Sequence, residues 1–425
     1  MNIQFKSINI SNRIDYYLFL LFPLFSFYFY RYVGIGGGLQ KGAYFAFFLL
    51  TTLWVGKFIL RSFLSYRYAR LVRMMLFLMC LSIFVSYLYW GQDIVLGFRV
   101  TASYMAIIYF FVLLKYRPTL RDLKKLIYIY TFVYILCWTY GMIKAPEIVF
   151  GLEKEDGLKD DRGLFRLSIP GRGFLTLCLF MCLNEYTLTK KKLWVLFTIA
   201  LFLITVMHVI RQVILLSAFI SICYLIRKVR YFWLYFIILV VSAIFIGSID
   251  IKDDGILGSM LALTERQLDE QRSGEENVRI TEYRYFFSEY SNSIITAIFG
   301  NGVPHSESGF GRRELRINSD FEFFANDVGY AEIFIRFGTL GLLIYASIFI
   351  SAFTQTASEK TNFAKLFIIY IAIANFTASW VFHDVICLGI CLYILERDSL
   401  SQKRFFRRTE ELKNLVISNR FFTRK

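Results

Sequence analysis

Residues 71–90 read LVRMMLFLMCLSIFVSYLYW, an apolar run whose one charge is Arg73. A run of that length crosses the ~30 Å hydrocarbon core of a bilayer as one helix. The pattern recurs on both sides of it. Apolar segments precede it at 16–33 and 43–61. Others follow at 94–116, 123–143, 173–189, 193–209, 213–226, 231–249, 328–352, 364–379 and 382–396. The expected fold is an all-α polytopic membrane protein with about 12 transmembrane helices. Composition agrees. Of 425 residues, 57% are hydrophobic and 19% aromatic, and the mean hydropathy is +0.52. Soluble domains are roughly 45–50% apolar. These values exclude a disordered chain, a collagen-like repeat and a secreted disulfide scaffold. The first apolar run is long and has no small-residue cleavage site, so no cleaved signal peptide is expected.

Orientation follows from the loop charges. With the N-terminus inside, the inner segments hold 29 Lys and Arg and the outer segments 17, eight of which sit in one long loop. Long loops are discounted by the positive-inside rule, so both termini are expected in the cytoplasm. The formal net charge of +16 then belongs largely to the inner surface, with nine basic residues between Arg397 and Lys425. That basic tail suits anionic headgroups, and nucleic acid is not an expected partner. All seven cysteines fall within the apolar segments. No disulfide framework is implied.

Two connections, both outer, exceed the short-loop norm. One spans about 144–172, in the first block of nine helices (1–249). The other is 250–327, followed by three helices over 328–396 and the basic tail 397–425. The second loop is net acidic, with 8 basic against 15 acidic residues. Within it Ile280, Tyr283, Phe287, Tyr290, Ile294 and Ile298 recur at helical spacing. They predict one amphipathic helix closed by the turn Gly300-Asn301-Gly302. Such a helix suits the bilayer surface or the cover of a cavity.

Charged residues gather on the same outer side. Arg162, Arg166 and Arg172 occur in RGLFRLSIPGRG, Arg211 in a tight turn, and Arg279 and Arg284 at the start of the amphipathic helix. Arginine binds phosphate oxygens through a planar fork and stays charged. The alternative for each is solvation or pairing with local acids. Arg99 and Arg336 lie within spans, where a charge is costly and functional by default. Glu332, four residues before Arg336, offers it a structural partner. His208, His305 and His383 all map outward, without metal-ligand spacing. His305 follows a glycine turn in the long loop, and His383-Asp384 forms either an acid–base pair or a polar helix end. Asp327 is expected to cap the tenth span, with Tyr330 next to it. Gly338 and Gly341 suit close helix packing.

This layout resembles the family of bacterial O-antigen polymerases and ligases, which act on undecaprenyl-diphosphate-linked sugars. The similar features are Arg166 ahead of a turn at Gly171, Arg211 at the start of a span, and Arg279 or Arg284 ahead of Gly300 and Gly302. The last is Asp327, eleven residues before Gly338-x-x-Gly341. Ligases of this family typically carry His where Asp327 stands, which favours polymerase. The resemblance implies a GT-C-like helical glycosyltransferase in the cytoplasmic (inner) membrane of a bacterium. A sugar hydroxyl of one lipid-linked repeat unit would attack the anomeric carbon of another, extending an O-antigen or capsular polysaccharide, with undecaprenyl diphosphate leaving. It implies no cofactor and no metal. Arg166, Arg211, Arg279 and Arg284 would hold the diphosphate, and Asp327 or His305 would orient or deprotonate the acceptor. Arg99, Tyr330 and Arg336 are further candidates. The implied partners are the lipid-linked oligosaccharide, the bilayer, a chain-length regulator and a flippase. An O-antigen ligase transferring glycan to lipid A core, a lipid-linked oligosaccharide flippase and a non-catalytic assembly partner are the competing readings.

Overall fold

The computed structural model describes residues 10–60, 66–151, 158–160, 165–167, 169–208, 210–229 and 278–402. The span expected at 231–249, Arg162, the acidic stretch 250–277 and the tail 403–425 lie outside the described residues.

In chain order the helices are α1 (Ile10–Ser26), α2 (Gly37–Leu60), α3 (Arg67–Trp90), α4 (Ile94–Tyr116), α5 (Leu120–Lys144), α6 (Arg172–Thr189), α7 (Lys192–Met207) and α8 (Arg211–Lys228). The outer segment carries α9 (Val278–Ser288), α10 (Ile294–Phe299) and α11 (Gly309–Phe321). Then come α12 (Gly329–Thr354), α13 (Asn362–Ala374) and α14 (385–402). Among the described residues, α2, α3, α4, α5 and α12 are long and apolar enough to cross a membrane. The protein is thus an all-helical membrane protein, with one small hairpin of β1 (Leu158–Asp160) antiparallel to β2 (Phe165–Leu167) in the outer loop near 144–172.

The burial pattern is that of a bundle in lipid. On α2 only Gln40, Tyr44, Phe48, Thr51 and Val55 are buried, a stripe three or four residues apart. Leu49, Leu50, Leu53 and Leu60 on the same helix remain exposed. In water that surface would drive aggregation; facing acyl chains it carries no penalty. At the centre, α6 buries every residue from Gly173 to Asn184.

Contacts sort the connections to two ends. At one end the Glu396 carboxylate accepts from the backbone N–H groups of Arg67 (3.0 Å) and Ala69 (3.1 Å), capping α3. There too Asp398 accepts from Ser358 N (2.7 Å) and Thr361 Oγ1 (2.9 Å). At the other end Trp90 Nε1 donates to Asn301 Oδ1 (3.0 Å), Trp380 Nε1 to Gln212 Oε1 (3.1 Å) and Gly151 N to Arg31 O (3.1 Å). The described parts of the connections expected on the outside meet at this second end.

Four expectations need correction. The first span stops as a helix at Ser26, and Tyr28–Arg31 follow with φ of 50, 52, 58 and 51°. The amphipathic helix of the long loop is two helices. Ser293 caps α10 in a reciprocal box with Thr296, and a local cap that satisfies two backbone N–H groups outcompetes one continuous helix. The last outer connection is no short turn: α13 ends at Ala374, a single helical turn forms at Trp380–His383, and α14 starts after a break at Asp384. Finally, Asp327 does not cap α12. It ends a one-turn 3-10 helix, and Val328 holds the N-cap position with no side-chain bond.

Candidate functional site

The second end, expected to face outward, is organised by a kink in α12. Gly338 takes φ 69° and ψ −174°, which breaks the helical ladder. The carbonyls left over are taken by the glycine turn after α10: Asn301 N donates to Ile335 O (2.8 Å) and Gly302 N to Arg336 O (3.0 Å). Side chains would not fit here. A Cβ on Gly338 would lie 2.2 Å from Ile298 O, and one on Gly300 2.2 Å from Arg336 O. The sequence signals for a turn and for a packed glycine thus describe the two halves of one joint. Asn301 locks it by donating to Ser291 Oγ (3.0 Å) and Ile335 O (3.1 Å).

Beneath the joint lies Arg336, 5% exposed. Its guanidinium forks onto the Glu314 carboxylate of α11, and Nη1 reaches Glu314 Oε2 at 3.2 Å. Glu332, the partner expected from the i−4 spacing, stands farther off, with Oε1 at 3.9 Å from Nε. Glu332 accepts instead from Tyr104 Oη (2.9 Å) and Ser379 Oγ. Burial works against the Glu314 charge, but Arg336 outweighs it, helped by bonds from Arg336 and Tyr290. The Glu314 carboxyl therefore sits below its ordinary range. Tyr290, buried and donating to Glu314, is pushed well above its own range. Arg336 is thereby a buried strut that ties the outer loop to the bundle.

Beside the strut, α9 and α12 enclose an open apolar groove of about 420 Å³ lined by Tyr283, Phe287, Tyr330, Leu342 and Phe376. Tyr283 and Phe287 stack at 5.9 Å, and Tyr330 meets Phe376 edge-on at 4.8 Å. Tyr283 Oη donates to Phe376 O (2.9 Å) and Tyr330 Oη to Ala372 O (2.7 Å), so the groove shows carbon to its occupant. Arg279 and Arg284 are exposed on the same helix α9. The Arg279 charge reaches Tyr283, and the charges of both Asp327 and Arg279 reach Glu282. Glu282 is buried, accepting from Phe324 N (2.9 Å).

The three histidines occupy three environments. His208 is buried. Its Nδ1 donates to Ile204 O (2.6 Å), so Nε2 accepts from Tyr134 Oη (2.7 Å). His305 is also buried. Its backbone N–H donates to Gln92 Oε1 (2.8 Å), its ring Nδ1 accepts from Glu307 N (3.2 Å), and a Cβ on Gly311 would lie 2.0 Å from its carbonyl. It anchors the loop to Gln92 and lies away from the groove. His383 is exposed although its neighbours Trp380 and Asp384 are buried.

Of the residues singled out in the sequence, Tyr330 lines the groove, Arg279 and Arg284 are exposed on the helix that carries Tyr283 and Phe287, and the Asp327 charge reaches Glu282 of that helix. Arg166 is the middle residue of β2, paired with Lys159. Arg211, half-buried, opens α8 next to Gln212, the acceptor of Trp380. Arg99 is exposed on α4, outside the strut and the groove, where its long stem suits a headgroup layer. Glu314, Gln92 and Arg31 carried no sequence signal, because their roles depend on contacts with distant segments. Among the described residues no three His, Cys, Asp or Glu side chains gather as a metal site. Compared with known proteins, the chain matches no protein-family model and no curated protein.

Proposed function

We propose that this protein is a polysaccharide polymerase acting on undecaprenyl-diphosphate-linked repeat units at the outer face of a bacterial cytoplasmic membrane, with both termini inside. The observation that carries the reading is the aromatic groove of Tyr283, Phe287, Tyr330, Leu342 and Phe376, with Arg279 and Arg284 on its own helix. A polyprenyl diphosphate joins a long apolar chain to a dianionic head, and this surface joins an apolar groove to two guanidinium groups.

In this mechanism the polyprenyl tail lies in the groove and Arg279 and Arg284 hold the donor diphosphate. An acceptor sugar hydroxyl attacks the donor anomeric carbon, the bond from that carbon to the diphosphate oxygen breaks, and undecaprenyl diphosphate leaves with the bonding pair. Asp327, whose charge reaches Glu282 on the same helix as Arg279, takes the hydroxyl proton. The leaving group is already activated, so positioning and charge stabilisation supply most of the rate.

The test uses purified full-length protein in detergent, the lipid-linked repeat unit extracted from its host, and EDTA. A ladder of multiples with free undecaprenyl diphosphate is expected, and loss of the ladder in Arg279→Ala/Arg284→Ala. Transfer only after lipid A core is added would make the protein a ligase. Movement of intact lipid across liposomes without bond cleavage would overturn the transferase reading altogether.

A further inference from the structure

A second cluster of basic side chains lies at the other end of the connection 375–384. Phe376 of that connection lines the groove, and His383 belongs to the cluster. Arg172, the first residue of α6, stacks its guanidinium on Trp380 at 4.3 Å. The charges of Arg172 and Arg31 both reach the His383 ring. Trp380 is fixed from behind by Gln212 (3.1 Å), and Gln212 Nε2 is held by Ala374 O (2.5 Å). The nearby carboxylate, Asp384, is buried against the start of α6 and accepts from the backbone of Gly173.

Two polar groups of this cluster, and one in the bundle beside it, are left without hydrogen bonds. The Nε atoms of Arg31 and Arg172 are buried and have no partner, and neither has the hydroxyl of Tyr30, which is 2% exposed. The Tyr30 ring packs next to Gly171, the residue before Arg172: a Cβ there would lie 3.2 Å from Tyr30 Cε1. Buried donors without acceptors are rare in folded proteins and call for an explanation. The backbone is strained at the same place. Tyr28, Phe29, Tyr30 and Arg31 all take left-handed φ values of 50–58°. For non-glycine residues that geometry costs roughly 1–2 kcal/mol each. It persists because Val33 N donates to Val149 O (2.9 Å) and Gly151 N to Arg31 O (3.1 Å), pinning the turn to the next outer loop. The strained turn delivers Arg31 to the side of His383.

We propose that Arg31, Arg172 and His383 form a second diphosphate site, which takes the lipid-linked diphosphate of the other substrate. The unbonded Nε–H groups of Arg31 and Arg172 are donors, and a diphosphate supplies only acceptors. The ligand assignment rests on the polymerase reading, in which donor and acceptor each carry a diphosphate. Ser379, midway along the connection, donates to Glu332 of α12. Two lipid-linked substrates held at the two ends of the connection would bring their sugars together above it.

The experiment is titration calorimetry of the purified full-length protein in detergent with farnesyl diphosphate, repeated with inorganic pyrophosphate. Two diphosphates per chain are expected for the parent. Arg31→Gln/Arg172→Gln is expected to lose one, weakening it by about tenfold or more, and Arg279→Gln/Arg284→Gln to lose the other. His383→Gln, at an exposed side chain, tests the same cluster with little demand on folding. Unchanged stoichiometry and affinity in both cluster variants would overturn the proposal, as would a single site that maps to Arg279 and Arg284. Pyrophosphate binding as tight as that of farnesyl diphosphate would assign the cluster to a free anion and overturn its role for lipid. A chain that binds two diphosphates but builds no ladder defeats the polymerase reading and leaves the second site standing. A ladder with no second diphosphate bound does the reverse.

Discussion

At the residue scale, the end expected to face outward is governed by the pairing of Arg336 with Glu314. Removing one partner of a buried pair strands the other charge, at a cost of about 3–5 kcal/mol. The pH dependence has a definite sign. The Glu314 carboxyl is held below its ordinary value of 4.5, chiefly by Arg336 acting against burial. The stabilisation is therefore complete above that ordinary value and disappears as pH falls through the depressed one. The melting temperature of Glu314→Gln should lie below that of the parent at pH 7, and the gap should narrow in acid. Thermal melts in detergent from pH 7 to pH 3 read this, and a gap that stays constant would remove Glu314 from the strut. Arg336 was visible in the sequence as an intramembrane charge. Glu314 was not, because it sits on a helix of the long loop with nothing local to mark it.

At the element scale, α9 and the kink in α12 set the groove. The helical spacing from Ile280 to Ile298 correctly announced helix. It was silent on which face is buried, and the structure buries Glu282 and Phe286 while Tyr283 and Phe287 line the groove. Burying an aromatic side chain is worth about 1.5–3 kcal/mol. Phe287→Ser should therefore raise the KM for an undecaprenyl substrate roughly tenfold or more. A short-chain substrate analogue, which leaves the groove partly empty, should be affected less. Initial rates with the two lipids make the comparison. An equal effect on both would place the polyprenyl chain elsewhere.

At the scale of the whole molecule, connections collect at two ends, and the expected orientation assigns them opposite compartments. Ser319 on α11 and Thr356 after α12 are both exposed, one at each end. In a cysteine-free background, Ser319→Cys should react in intact spheroplasts with a membrane-impermeant maleimide. Thr356→Cys should react only after permeabilisation. The opposite result would invert the topology and place groove and cluster in the cytoplasm. The seven native cysteines are all unpaired, so removing them breaks no disulfide.

The apolar segments were legible because membrane partition is a local sum. Twenty neighbouring side chains decide it without reference to the rest of the chain, so 94–116, 173–189 and 328–352 nearly coincide with α4, α6 and α12. Loop charge is likewise read segment by segment, so the sequence sets an expected sidedness that the maleimide labelling tests. The site was legible only in part. Arg279, Arg284, Asp327 and Tyr330 were marked by their expected outer position; in the structure Tyr330 lines the groove and the two arginines are exposed on the helix that forms its other wall, while Arg99 and His305 do not line it. What joins Arg31 to Arg172 and His383, or Glu314 to Arg336, is the packing of segments far apart in sequence. Without that packing each is an ordinary charge at a helix end. The left-handed turn at Tyr28–Arg31 and the break at Asp384 run against local preference. They exist because contacts made elsewhere in the bundle hold them, and only the tertiary structure could decide them.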